Sequence, residues 1–274
     1  MTLFPSNALV QRIELAEARG LEAIVAACGD GAVTLSIGGG IALIRGEGSP
    51  LNKVAGLGFS PLSAAELSSI EHLFAERGVP IQIELATHAD PDLSKLLCAR
   101  GYELTGFENV LGRRVDELGA TRTSPDVAIK RANTEAEREA WVTVLTEGFS
   151  ARVEGEDIPE HDAFRRDALE RVFRDMADKS SVAKWLASVD GEVVGAASMG
   201  IRDGIAQLFG TATLPHARRR GVQSSLLAAR LGAARGQGCD LAVVTTQPGS
   251  KSHQNVRRAG FELLYARAIW LREP

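Results

Sequence analysis

Thr213-Leu-Pro-His-Ala-Arg-Arg-Arg-Gly-Val-Gln-Ser-Ser-Leu-Leu227 is the stretch whose reading decides the fold. An apolar, strand-like run from Ile205 to Thr213 leads into a turn marked by Pro215. Three arginines and one glycine follow, and an apolar-periodic helix begins at Ser224. Strand, basic turn and helix start together predict an anion site. The first amides of a helix have no intrahelical acceptor, and the helix dipole is positive there. Gly221 lets the backbone approach a phosphate with no Cβ in the way. The expected ligand is a small phosphorylated molecule, with a pyrophosphate held where the helix begins.

Outward from this segment, the chain reads as one pattern written twice. Arg100-Gly-Tyr-Glu-Leu-Thr-Gly-Phe-Glu-Asn-Val-Leu-Gly-Arg113 and Ala259-Gly-Phe-Glu-Leu-Leu-Tyr-Ala-Arg-Ala-Ile-Trp-Leu-Arg272 share Gly, an aromatic, Glu, Leu and a strand-like run closing on Arg. Each is preceded by a helix (Ser63 to Arg77; Ser224 to Arg235) and a strand (Ile81 to Ala86; Leu241 to Thr246). A polar turn and a short helix (Pro91 to Ala99; Ser252 to Arg258) come next in both. This repeated order predicts an internal duplication. The small polar stretch Leu118 to Asp126 is the expected linker, dividing the chain into residues 1–120 and 126–274. Beyond it the pattern predicts a strand (Val127 to Arg131), a helix (Thr134 to Phe149) with Thr134 and Glu137 at capping-box spacing, and a hairpin turning at Gly191. A comparable hairpin, Val33 to Ile37 and Ile41 to Ile44, flanks Gly38-Gly39-Gly40.

The halves differ where chemistry belongs. Gly58-Phe-Ser-Pro-Leu-Ser-Ala-Ala-Glu-Leu67 has no arginine and no glycine after Pro61, and Glu66 in the first helical turn repels an anion. The second half is therefore expected to bind the ligand. The first is expected to be structural, or to wall one side of a substrate cleft.

Composition narrows the function classes. The 274 residues are 45% hydrophobic and 24% charged, enough for two ordinary domains. A net charge of −4 argues against a general nucleic-acid surface despite Arg218 to Arg220. No apolar run reaches the roughly 18 residues of a membrane span, and residues 1–7 do not look like a secretion signal. The three scattered cysteines, Cys28, Cys98 and Cys239, fit a reducing cytoplasm and show no metal spacing. The five histidines are scattered too, so no metal is expected.

Arg218-Arg-Arg-Gly-Val-Gln223 resembles the Arg/Gln-x-x-Gly-x-Gly/Ala signature of the GCN5-related N-acetyltransferase (GNAT) superfamily. The order of elements over about residues 126 to 274, ending in Gly260-Phe261, is similar as well. The first half looks like a degenerate copy. The resemblance implies a mixed α/β fold of two tandem GNAT-type domains, each a mostly antiparallel central sheet flanked by helices. It implies acetyl-CoA as donor, with its pyrophosphate on the backbone around Arg218, Arg219, Arg220, Gly221, Val222, Gln223 and Ser224. Thr211, Ala212 and Thr213 would pair with the pantetheine arm like an added strand, beside two splayed central strands. Asn255, with Ser252 one helical turn earlier, would reach the same arm. Gln223 departs from the signature and would either crowd the ligand or give it an amide contact.

The reaction implied is attack of an amine on the thioester, which needs a base for the ammonium proton and an acid for the thiolate. Similar proteins carry a tyrosine acid four residues before the Gly of the Gly-Phe pair; Val256 stands there. Tyr265, on the terminal strand, is the candidate substitute, against a plain packing role with its hydroxyl at the surface. Glu147 is the candidate base, with Glu154, Glu156, Asp157, Glu160 and His161 in an acid-rich stretch that suits a cationic acceptor. The expected acceptor is a small-molecule or peptide amine. Two rival readings remain open: a non-catalytic acyl-CoA sensor or interaction module, and acyl transfer to a hydroxyl or thiol.

Overall fold

Ser6, Ser63, Asp90, Thr134 and Ser250 each place a side-chain oxygen on an amide at a helix start, and so set where those helices begin. The computed structural model describes residues 3–29, 31–116, 123–151 and 164–274. The N-terminal half comprises α1 (Asn7–Val25), β1 (Val33–Ile37), β2 (Gly40–Ile44), β3 (Lys53–Ala55), α2 (Ala64–Glu76), β4 (Ile81–Ala86), α3 (Pro91–Ala99) and β5 (Glu103–Arg114). The C-terminal half opens with β6 (Val127–Arg131), α4 (Glu135–Ser150), α5 (Arg166–Ala177), β7 (Val182–Val189), β8 (Glu192–Arg202) and β9 (Ile205–Thr213). A 3₁₀ turn at Pro215–Ala217 leads to α6 (Val222–Gly236), β10 (Leu241–Thr246), α7 (Lys251–Arg258) and β11 (Glu262–Arg272). At α4 the predicted capping box is formed by Thr134 and Glu137. The amides of Thr134 and Asn133 and the ammonium of Lys130 hold Glu137 down at about 2.

The sequence predicts one sheet per half, and the structure joins them. Eleven strands form a single sheet in the order β1-β2-β3-β4-β11-β5-β10-β9-β8-β7-β6. At its centre the halves trade their last strands. β5 leaves its own half to pair with β10, from Leu241 opposite Arg114 to Thr246 opposite Asn109. β11 pairs with β4, from Arg267 opposite Ala86 to Arg272 opposite Ile81. β5 and β11 pair antiparallel with each other between them. The expected division between residues 120 and 126 is thus a division of the chain, not of the sheet.

Alternation along the strands builds a core on each face. Ala206, Leu208, Leu111 and Ala242 pack with Leu226 and Leu231 of α6. Ile81, Ile83 and Trp270 pack with Leu67 and Phe74 of α2 and Leu97 of α3. On the opposite face Val10, Ile13 and Ala16 of α1 meet Val110, Ile205, Leu241 and Val243. There too, Trp141 and Leu145 of α4 and Phe173 of α5 meet Leu43 and Ala55 of the first half. α1 therefore crosses the sheet and touches both halves. It also pairs Arg12 with Asp240, and Arg12 donates to the carbonyl of Asp203 in the turn before β9.

Neither α1, α5 nor β3 is among the elements that the sequence patterns predict. The buried face of α1 carries Glu14 and two alanines, Ala16 and Ala18, among its larger apolar residues, which blurs its period. α5 starts at Arg165 with no side-chain cap, so it lacks the usual start signal.

The exchange makes the C-terminal half incomplete without β5. Residues 126–274 produced alone are expected to aggregate or to lose cooperative unfolding, because the edge of β10 and the apolar side chains beneath it lose their cover. Co-production with residues 1–125 is expected to restore a single species by size-exclusion chromatography. A monodisperse, cooperatively unfolding 126–274 fragment would show that the exchange is dispensable.

Candidate functional site

The turn after β9 has the geometry of an open helix start. Arg219 (φ 65°) and Gly221 (φ 83°) both adopt left-handed backbone, and Gly221 is the N-cap of α6, two residues earlier than the pattern predicts. It offers no side-chain cap. The N–H groups of Val222, Gln223 and Ser224 meet no acceptor among the described residues, the first intrahelical bond being Ser225 N–H to the Gly221 carbonyl. The matching helix of the first half is closed. Ser63 Oγ accepts from the Glu66 amide and the Glu66 carboxylate accepts from the Ser63 amide, filling the cradle. Arg218 is half-buried; Arg219 and Arg220 are exposed, and Arg220 pairs with Asp190 at 2.8 Å. Ser124 lies over Gly221: a Cβ at Gly221 would come within 2.8 Å of the Ser124 Cβ. Any side chain at Gly221 is therefore strained on two counts, whatever its charge.

Next to this turn the sheet opens. β9 and β10 pair in parallel only from Leu241 opposite Ile205 to Val243 opposite Gln207. β9 stays paired to β8 as far as Thr213, and β10 to β5 as far as Thr246, so the facing edges beyond Gln207 and Val243 are left without each other. Thr211, Ala212 and Thr213 line the β9 edge of that gap. The register of β8 and β9 slips between Ala196 and Ser198, where Gly210 takes φ 48° and forms a bulge. Three contacts hold this wall. Trp141 Nε1 donates to the Ala197 carbonyl at 3.1 Å. Gly148 of α4 lies so close to Ala212 that a Cβ there would meet it at 2.4 Å. Arg230, 3% exposed, donates to the Ser198 carbonyl at 3.1 Å, and burial without a carboxylate partner among the described residues pushes its guanidinium down to about 9. Across the gap Asn255 Nδ2 donates to Gln223 Oε1 at 2.5 Å, tying α7 to α6. Ser252 is exposed on α7.

The structure corrects the reading of Tyr265. Its hydroxyl is neither at the surface nor at the gap: the residue is 4% exposed and donates to Glu14 Oε1 at 2.5 Å, on a strand separated from β10 by β5. Burial, then the charge of Glu14, raises its pKa well above 10. Glu147 is half-buried near the end of α4, and Val256 is core. Glu154, Glu156, Asp157, Glu160 and His161 lie outside the described residues.

Tyr265 instead belongs to a buried charge cluster that sequence patterns miss, because its members come from α1, β3, β4, β5 and β11. Arg267, 1% exposed, is its hub. It donates from Nε to Glu14 at 2.8 Å and from Nη2 to Glu17, and its Nη1 lies 3.5 Å from Glu84 and 3.8 Å from Glu108. Lys53 Nζ reaches Glu84 at 2.5 Å. Burial alone would lower Lys53, but Glu84 and Glu108 push it up to about 12. Glu84 is held low against its own burial by Lys53 and Arg267. Glu108 is the group left over: burial and the neighbouring Glu84 push it up to about 8. Between its ordinary 4.5 and about 8 the folded chain holds a proton that the unfolded chain releases, so stability falls as pH rises through that window and levels off above it. Glu108→Gln is expected to flatten that part of the curve of Tm against pH, measured by calorimetry. Overlaid curves would assign the proton elsewhere among Glu14, Glu17, Glu84, Lys53 and Arg267.

Comparison with known proteins agrees with this geometry. Residues 145–261 match the acetyltransferase (GNAT) family. A GCN5-related N-acetyltransferase from Kribbella flavida is 21% identical with a TM-score of 0.69, covering 96% of this chain and 95% of that one. A tandem GNAT protein from the clavulanic acid biosynthesis pathway is 12% identical with a TM-score of 0.65, covering 97% of this chain and 94% of that one. A GCN5-related N-acetyltransferase from Sphaerobacter thermophilus is 15% identical with a TM-score of 0.58, covering 76% of this chain and 67% of that one. No curated protein matches. The open helix start, the splayed strands and the bulge lie within residues 145–261, the segment that matches the GNAT acetyltransferase family, and the fold over both halves is like that of a tandem GNAT protein.

Proposed function

We propose that the C-terminal half binds acetyl-CoA and transfers its acetyl group to an amine, while the N-terminal half binds no acyl-CoA. The contrast between the two equivalent helix starts carries this reading. At α6 three amides are unclaimed beside a gap in the sheet and no side chain caps them; at α2 Ser63 Oγ has taken the Glu66 amide and the Glu66 carboxylate is held at the same turn. A pyrophosphate at α6 would accept from Val222, Gln223 and Ser224 and sit beside Arg218, Arg219 and Arg220. The edge of β9 at Thr211, Ala212 and Thr213 would take the pantetheine amides as a neighbouring strand does. Asn255 and Gln223, already bonded to each other, would flank the arm, and Ser252 lies on the same short helix.

Acetyl-CoA supplies an activated carbonyl whose thiol is a good leaving group. The chain's contribution is to hold the amine against that carbonyl, to exclude water, and to stabilise the developing oxyanion. The bulge at Gly210 breaks the regular β8–β9 register beside the gap, and the buried charge of Arg230 lies behind the same wall. Among the described residues no helix is long and apolar enough to cross a membrane. The thiols of Cys28, Cys98 and Cys239 are free, which suits the cytoplasm as the working compartment. An acyl-CoA sensor is the second reading, favoured by Val256 in the core where a hydroxyl acid would serve.

Because any side chain at Gly221 is strained, Ser224→Glu is the cleaner test. It places a carboxylate where α2 carries Glu66, a position that also suits a helix start. Affinity for acetyl-CoA by calorimetry is expected to drop about 10-fold or more with Tm unchanged or raised. Unaltered affinity would remove the phosphate from this turn. Release of CoA from acetyl-CoA, assayed with a panel of amines, separates the two readings: the enzyme releases thiol with at least one amine, and the sensor binds acetyl-CoA tightly but releases none.

A further inference from the structure

We propose that Arg230, buried in α6 behind the β8–β9 wall, is a positioning residue for acyl transfer: it holds β8 opposite the bulge where the reacting carbonyl of the donor comes to lie, and its charge favours the negative oxygen that forms there. This rests on the acyl-transfer reading above and adds the residue that stabilises its intermediate.

Placement comes from the gap itself. Its mouth is at Thr213, next to the turn that leads into α6, and its root is at Gln207, the last β9 residue paired with β10. A donor anchored by its pyrophosphate at α6 and lying along the β9 edge brings its thioester end toward Thr211 and Gly210. There β9 carries one residue more than β8: Ala196 faces Ala212, Ser198 faces Phe209, and Gly210 is left-handed at φ 48°. The strand opposite this bulge is fixed by side chains from both faces of the sheet. Trp141 of α4 donates to the Ala197 carbonyl and Arg230 of α6 to the Ser198 carbonyl, each at 3.1 Å. Ser198 Oγ donates to the Gly210 carbonyl at 3.3 Å.

Arg230 is out of keeping with its position. Leu226, Leu227, Leu231 and Ala234 form the buried stripe of α6, and Arg230 falls within it, where the helical period calls for an apolar residue. It is 3% exposed and donates to the carbonyls of Ser198 and, at 3.3 Å, Leu226. Among the described residues it meets no carboxylate, whereas the equally buried Arg267 is paired with Glu14 and Glu17. A lone buried charge is costly, and an apolar side chain of similar volume is often as stable or more so. Holding one carbonyl does not require a full charge either, since a neutral donor also satisfies it. The charge matches instead an anion that exists only during the reaction.

When a neutral amine attacks the thioester, the C–N bond forms as an electron pair of the C=O bond moves onto oxygen. That pair returns as the C–S bond breaks and sulfur keeps its electrons; in net, one proton passes from the nitrogen to the thiolate. The oxygen is charged only between these steps, so a fixed cation near it lowers the barrier without tightening the binding of acetyl-CoA. β8 and β9 are one strand spacing apart, about 4.8 Å, which puts the guanidinium within roughly 10 Å of the β9 edge. At that range, and at an effective dielectric of about 20, a unit charge changes a rate about 10-fold. The guanidinium, at about 9, remains protonated at neutral pH.

The test compares wild type with Arg230→Gln, which keeps a donor for the Ser198 carbonyl and removes the charge, and with Arg230→Met, which removes both. With acetyl-CoA and whichever amine of the panel releases most thiol from the wild type, kcat is expected to fall about 10-fold in both variants, while KM for acetyl-CoA changes less than about 2-fold. The second readout is the infrared stretch of an isotope-labelled thioester carbonyl in bound acetyl-CoA. It is expected at lower frequency on the wild type than in free solution, and to move back toward the free value in Arg230→Gln. A residue that only held the strand would leave that stretch in place in a variant that keeps the hydrogen bond. Equal kcat and equal stretches in wild type and Arg230→Gln, or a loss confined to KM, would overturn the role of Arg230. A wild-type carbonyl at the free-solution frequency would overturn it without any variant. Should the wild type bind no acetyl-CoA, or release no thiol with any amine, the acyl-transfer reading itself falls and this inference with it.

Discussion

The antiparallel pairing of β5 with β11 is the constraint on which the rest of the molecule depends. Each is the last strand of its own half, and each is seated beside the other half's sheet. That exchange removes two free edges from the middle of the structure and turns two modules into one sheet. It also forces α1 to serve both halves, because the face it covers is continuous. A duplicated module that kept its last strand at home would have a seam here, with water or a mobile interface along it.

The buried charges follow from the same constraint. Arg267 sits on β11 in the first half's sheet, and Glu108 on β5 in the second half's sheet, with Glu14 and Glu17 lowered onto them by α1. Burying charges is costly unless each finds partners, and removing one partner costs more than the pair returns. Here the partners are distributed over five elements, so the network forms only when both halves and α1 are assembled. The surplus of carboxylate is concentrated at the rim, where Glu17 and Glu108 are about one-fifth exposed.

The two halves run through a similar order of elements from the hairpin onward and differ at the turns that lead into α2 and α6. Ser63 satisfies the Glu66 amide of α2 with the chain's own hydroxyl and Glu66 accepts from the Ser63 amide, while Gly221 gives α6 no side-chain cap. The difference matters chemically because a capped helix start has fewer amides left to offer a ligand. The two copies of the pattern thus present different helix starts on one sheet.

The predicted strands Ile81–Ala86, Val127–Arg131, Ile205–Thr213 and Leu241–Thr246, the cap at Thr134, and the turn at Gly221 were legible because their signals are local: period, cap spacing and a glycine in a basic turn. The family resemblance rests on the same local marks. The exchange of β5 and β11, the crossing of α1, the burial of Tyr265 against Glu14 and the isolation of Glu108 carry no local mark. An exchanged strand and an unexchanged one have the same alternation, and a glutamate destined for a buried cluster has the same neighbours in sequence as one bound for solvent. Sequence alone determined most of the elements, α1, α5 and β3 excepted, and the glycine turn that leads into α6. Tertiary structure alone decided which half each strand serves and which carboxylate goes without a partner, because pairing between strands and the balance of buried charge depend on contacts between residues as much as 253 positions apart.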